Sequence, residues 1–130
     1  MSKPLVLYVQ VAPPAKVCYG HPFAGCEEKA DIFEFDNHSG EPMAGYATRL
    51  VQQASSLFVW VEAAGSEQEA LGVVRPVLSG LLAVKKDKMM YIRGHHPMLE
   101  RMSGPLGANV PPEGVEPATL LKKWLSPSDR

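Results

Sequence analysis

Residues 5–11 read Leu-Val-Leu-Tyr-Val-Gln-Val, a run that is nearly all apolar and β-prone. A strand with one wet face alternates apolar and polar side chains, whereas an unbroken apolar run belongs to a strand covered on both faces, as in parallel sheets. Outward from this run, the chain switches between short β-rich stretches and helical periods, the pattern of a layered α/β domain. Ile32-Phe33-Glu34-Phe35 reads as a second strand, Leu57 to Glu62 (LFVWVE) as a third and Met89 to Ile92 as a fourth. Ala108 to Val110 offers a short fifth. Between the first two strands lie about twenty residues broken by Pro13, Pro14, Gly20, Pro22 and Gly25, an unusual length for a loop without structure of its own. That segment is compatible both with a parallel crossover and with an antiparallel edge.

The helical periods are equally regular. Met43, Ala44, Tyr46, Ala47, Leu50, Val51 and Ala54 recur at three- and four-residue spacing and turn one stripe toward the sheet. Ser66 and Glu69 form a capping box ahead of Ala70, Leu71, Val74, Val77, Leu78, Leu81 and Leu82. Pro76 inside that period, with Gly72 four residues before it, predicts a kinked helix. Pro97 opens a short helix carrying Met98, Leu99 and Met102. Pro117 opens the last, with Leu120, Leu121, Trp124 and Leu125 inward and Lys122 and Lys123 outward. Trp60 and Trp124 read as core, and residues 126–130 (SPSDR) as a disordered tail. Strand-helix-strand order implies right-handed crossovers. The predicted fold is one α/β domain over residues 1–130: a three-layer αβα sandwich of the doubly wound type, around a mostly parallel sheet of four or five strands.

Composition narrows the function classes. With 130 residues, 45% hydrophobic and 21% charged, the chain is large enough to bury a core without disulfides or metal as staples. A formal net charge of -1, with no long run of either sign, lacks the footprint of nucleic-acid or anionic-membrane binding, so neither is expected as a partner. The start, MSKPLVLYVQV, has no signal-peptide core or cleavage site, and no apolar stretch approaches the roughly 20 residues of a membrane helix. A cytoplasmic protein with free thiols is expected.

In doubly wound sheets ligands bind beyond the carboxyl ends of the strands. The second strand runs into Asp36-Asn37-His38-Ser39-Gly40, the third ends at Glu62 with Ser66 close behind, and the fourth ends in Arg93-Gly94-His95-His96. If these loops share one rim, Asn37, Ser39, Gly40, Glu62, Ser66, Arg93 and His96 could bind a small polar or anionic ligand. The competing reading is that Asp, Asn, Ser and Gly turn and cap in any α/β loop. Histidine titrates near neutral pH, so His38 or His95 could serve as acid-base group, with Asp36 orienting it and Arg93 holding an anion. Adjacent histidines on extended chain point in opposite directions, so at most one of His95 and His96 faces the crevice.

Known fingerprints are incomplete. Gly40 and Gly45 have the spacing of a phosphate-binding loop, but Tyr46 and Ala47 replace its lysine and its Ser/Thr. There is no GxGxxG motif, and Ser79 lies in an apolar helical period; no cofactor is assigned. The stretch CYGHPFAGC places Cys18, His21 and Cys26 within nine residues, a partial zinc set that needs a fourth ligand such as His38, His95 or His96. Alternatively Cys18 and Cys26 pack as small hydrophobes, with Tyr19 and Phe23 anchoring the loop.

Two functions follow. One is a small intracellular ligand-binding or regulatory module, acting through the crevice or against a protein partner. The other is a hydrolase or transferase acting on a small polar or phosphorylated substrate. An uncovered edge strand could also pair with its twin in a homodimer.

Overall fold

The computed structural model describes residues 3–17, 20–63 and 69–125. Strands β1 (Leu5–Gln10), β2 (Asp31–Asp36), β3 (Leu57–Ala63) and β4 (Lys88–Gly94) alternate with helices α1 (Glu41–Gln53), α2 (Val74–Leu81), α3 (Pro97–Leu106) and α4 (Pro117–Leu125). The strands form one sheet in the order β2-β1-β3-β4, and every pair is parallel. The protein is therefore an α/β sandwich around a parallel sheet, as the strand and helix periods predict.

The unbroken apolar run has its physical explanation here. β1 lies between β2 and β3 and is buried along its whole length. Leu5, Leu7 and Val9 face a core built with Ala47 and Val51 of α1, Val74, Val77, Leu78 and Leu81 of α2, and Leu99 and Leu106 of α3. Val6 and Tyr8 face a second core with Phe58, Trp60, Phe23, Cys26, and Leu121 and Trp124 of α4. One sheet face thus carries three helices; the other carries α4 and the long segment between β1 and β2.

That segment makes a parallel crossover that, among the described residues, carries one 3-10 turn, Pro14–Lys16, and no α-helix. Phe23 is fully buried against Tyr8 and Phe58, ring edge to ring face, which gives the loop the apolar anchor that a helix would supply elsewhere. When crossovers share one hand, a step from β1 out to β2 and the steps back through β3 to β4 run over opposite faces. The sheet's two coverings follow from that reversal.

Four expectations are corrected. The α2 period does not begin at Ala70: Gly72 has φ +56°, and a Cβ added there would come within 2.4 Å of the Asn37 carbonyl oxygen. A right-handed helix cannot run through that conformation, so α2 starts at Val74, and Glu69 lies before it rather than within a capping box, whose Ser66 is outside the described residues. Pro76 consequently stands in the first turn, where no earlier helical carbonyl is crowded, and no kink is required. The fifth strand reduces to a single parallel bridge between Tyr91 and Asn109. In α1, Ala47 and Val51 are buried as expected, but Tyr46 is 48% exposed and packs its ring on Phe33 of the edge strand β2, 5.3 Å between centroids. No described helix is long and apolar enough to cross a membrane, and the tail at 126–130 lies outside the described residues.

Candidate functional site

Because all four strands are parallel, the loops after β2, β3 and β4 emerge at the same edge of the sheet. In this strand order the chain leaves β1 toward β2 and leaves β3 toward β4, so the crevice of a doubly wound sheet should open between the ends of β1 and β3. There, Asn37 is buried and its amide joins two loops: Oδ1 accepts from the Ala12 N–H at 3.1 Å, and Nδ2 donates to the Ala70 carbonyl at 2.9 Å. His38 Nε2 lies 2.7 Å from the Ala12 carbonyl oxygen and 3.5 Å from Glu69 Oε1. Since a carbonyl only accepts, Nε2 is the protonated nitrogen. Asn37 and His38 thus tie the end of β2 across β1 to the chain preceding α2.

The other residues of this loop close on themselves. Asp36 Oδ1 accepts from the backbone N–H of His38 at 2.7 Å, and Ser39 Oγ accepts from the Asp36 N–H at 3.1 Å. Asp36 therefore contacts the His38 backbone instead of orienting its ring. Gly40 is the N-cap of α1 and contributes no side chain to it.

The β4 end divides its two histidines as extended geometry dictates. His96 is buried, its Nε2 donating to the Glu69 carbonyl at 2.6 Å while Nδ1 accepts from the Met98 N–H at 3.2 Å and caps α3. His95 is 82% exposed, with Nδ1 3.3 Å from Glu100 Oε1. Arg93 and Glu62 are direct neighbours across the β3–β4 ladder and form a forked ion pair, with Arg93 Nε 2.9 Å from Oε1 and 3.0 Å from Oε2. The Arg93 guanidinium also lies over the Trp60 ring, 5.2 Å from its centroid. The hydrogen bonds to Glu62 hold its pKa above the ordinary arginine value. Glu62 additionally accepts from Trp60 Nε1 at 3.2 Å. Arg93 is thus neutralised within the protein.

In the long first loop, His21 Nδ1 accepts from the Phe23 N–H at 3.1 Å, and Cys26 is buried in the second core. Cys18 is outside the described residues, and no three His, Cys, Asp or Glu gather as metal donors among the described residues.

A cavity of about 290 Å³ opens at the carboxyl end of β4, between that strand, α3 and residues 108–111. Ile92, Leu99, Ala108, Val110 and Pro111 give it an apolar lining, and Arg93, Gly94, His95, Glu100, Ser103 and Asn109 complete its wall; the Arg93 guanidinium itself lies over Trp60, which packs in the second core. Of the described residues predicted from sequence as a site, only Arg93 and His95 belong to it. Apart from Ile92 and Gly94 of β4, the rest of its wall comes from α3 and the segment after it, where no site was predicted. The legible signal was Ala108-Asn109-Val110 followed by Pro111 and Pro112, a β-prone stretch halted by residues that cannot extend a ladder. The chain matches no family model, no curated protein and no solved structure.

Proposed function

We propose that the protein is a small cytoplasmic ligand-binding or regulatory interaction module, with its ligand site in the cavity beside β4. The observation that carries this reading is an apolar pocket of about 290 Å³ with a polar mouth at the strand carboxyl ends, near the lower size limit of small-molecule sites. The acid-base groups favour binding over turnover. His96 has both ring nitrogens engaged with backbone, His38 is bonded to the Ala12 carbonyl, and Arg93 is paired with Glu62. A hydrolase or transferase would have to draw on the exposed His95–Glu100 pair at the cavity mouth.

The test is a titration of the isotopically labelled protein with a library of small neutral and anionic molecules, followed in amide spectra. A ligand that saturably moves the amides of Gly94, Leu99, Ser103 and Asn109 supports the reading, provided that Ala108→Phe, whose ring would fill the cavity, removes the response while the rest of the spectrum stays dispersed. A library that moves none of these amides overturns it, as does a response unchanged in the filled variant.

A further inference from the structure

β2 ends the sheet on the side away from the cavity, and its outer edge is open. Asp31 donates its N–H to the Pro4 carbonyl and Asn37 to the Gln10 carbonyl, so the odd-numbered residues of this strand bond toward β1. Ladder alternation then turns the N–H and C=O of Ile32 and Glu34 outward. Neither main chain finds a hydrogen-bond partner among the described residues. At Asp36 the edge stops, because Ser39 closes both groups: its Oγ accepts from the Asp36 N–H, and its N–H donates to the Asp36 carbonyl.

The side chains beside this edge differ between the two faces. Phe33 turns to the α1 face and is half-buried, its ring 5.3 Å from that of the exposed Tyr46. Met43, one helical turn before Tyr46, is exposed as well. Apolar surface thus lies next to open main-chain groups. On the opposite face Ile32 packs on the second core, and Glu34 keeps its carboxylate near the surface, held by the Gly20 N–H at 3.0 Å. With Asp31, Glu34 and Asp36, β2 has acids and no base.

Charge decides what can pair here. Antiparallel pairing with a second copy about Phe33 sets the two Glu34 carboxylates diagonal to each other, and pairing about Glu34 sets them directly opposite. Either register adds the acids of both strands with no cation between them, so the edge repels its twin. A strand that brings cations meets no such repulsion.

Independently of the cavity, we infer that the β2 edge is a docking site for an extended, basic segment of another protein, which adds to the sheet antiparallel to β2. Three residues of that segment satisfy all the open groups. The first, opposite Glu34, is Lys or Arg; the second, opposite Phe33, is apolar and lies against Phe33 and Tyr46; the third, opposite Ile32, is β-branched. The first and third exchange both main-chain bonds with Glu34 and Ile32, whereas a parallel addition needs about five residues for the same bonds.

The probe is acetyl-Thr-Lys-Val-Val-Lys-amide, titrated into the full labelled chain. Its residues face Phe35, Glu34, Phe33, Ile32 and Asp31 in that order. The Ile32 and Glu34 amide protons should shift downfield saturably, while those of Ser103 and Asn109 at the cavity stay unmoved. Exchanging both lysines for glutamate should weaken binding about tenfold, the scale of two cross-strand ion pairs turned to repulsion. N-methylation of the second valine, whose N–H meets the Ile32 carbonyl, should weaken it at least about fivefold, the scale of one neutral hydrogen bond. N-methylation of the first valine, whose N–H points away from β2, should leave binding unchanged. Loss from the first methylation, equal binding of the lysine and glutamate peptides, or a lysine peptide that leaves Ile32 and Glu34 unmoved would each overturn the inference. Concentration-dependent shifts at Ile32 and Glu34 without peptide would assign the edge to a second copy and overturn it too. None of these outcomes bears on the cavity, which has its own titration.

Discussion

His96 donates from Nε2 to the Glu69 carbonyl at 2.6 Å, which fastens the start of α3 to the chain that precedes α2. Its Nδ1 accepts from the Met98 N–H, so both nitrogens are assigned by their partners. Nitrogen chemical shifts should show His96 as the Nε2-protonated tautomer with a bare Nδ1. His96→Ala should lower stability by roughly 1–3 kcal/mol in a denaturant melt, from a lost helix cap plus an unsatisfied carbonyl.

Asn37 is the corresponding tie on the other side of the rim, between Ala12 and Ala70. Asn37→Ala should cost about 2–4 kcal/mol, because a donor and an acceptor are left without partners in a buried place. Asn37→Asp keeps the bond from the Ala12 N–H but sets a carboxylate against the Ala70 carbonyl. Its loss of stability should be largest at neutral pH and should recede on acidification, when the protonated carboxyl can donate again. Melts across pH distinguish this from simple loss of packing, which would not change with pH.

Two glycines are fixed by close approach of backbone. Gly94 has φ +97°, and a Cβ there would meet the Ala63 carbonyl oxygen at 2.2 Å; at Gly72 the obstacle is the Asn37 carbonyl. Gly94→Ala and Gly72→Ala should each cost roughly 3 kcal/mol or more, combining dihedral strain with a clash against backbone that cannot swing away. Gly45, inside α1 with open space around it, is the contrast. Gly45→Ala should stabilise by about 0.5–1 kcal/mol.

Glu27 gives the pH dependence of the first loop. Its own backbone N–H and that of Gly25, which meets Oε1 at 2.7 Å, hold its carboxyl below the ordinary glutamate value. A depressed pKa means that the folded state favours the charged form, so its contribution is present above the ordinary glutamate pKa and is lost as pH falls through the lowered one. The Gly25 amide resonance should follow that titration, and Glu27→Gln should abolish it. A Gly25 amide that titrates identically in both proteins would show that the carboxylate is not the cause.

How much of this was legible in the sequence differs by level. The unbroken apolar run at residues 5–11, the helical stripes and the prolines at 97 and 117 determined the strands, three of the helix placements and the layered α/β class, because periodicity and proline act through the local chain. The carboxyl-end rim followed from the strand-helix alternation. The start of α2 was not legible: Gly72 takes a left-handed conformation with the Asn37 carbonyl, distant in sequence, packed against it, and a helical period does not reveal either feature. Nor could the residue types Asp36, His38, Arg93 and His96 reveal whether their polar atoms were available to a ligand, since the same groups serve catalysis and turn closure. Tertiary packing decided that, by setting Arg93 beside Glu62 in the ladder and His96 beside the Glu69 carbonyl. The cavity too is a product of packing: Pro111 denies a ladder bond locally, but only the approach of α3 to the edge of β4 turns that gap into a lined hollow.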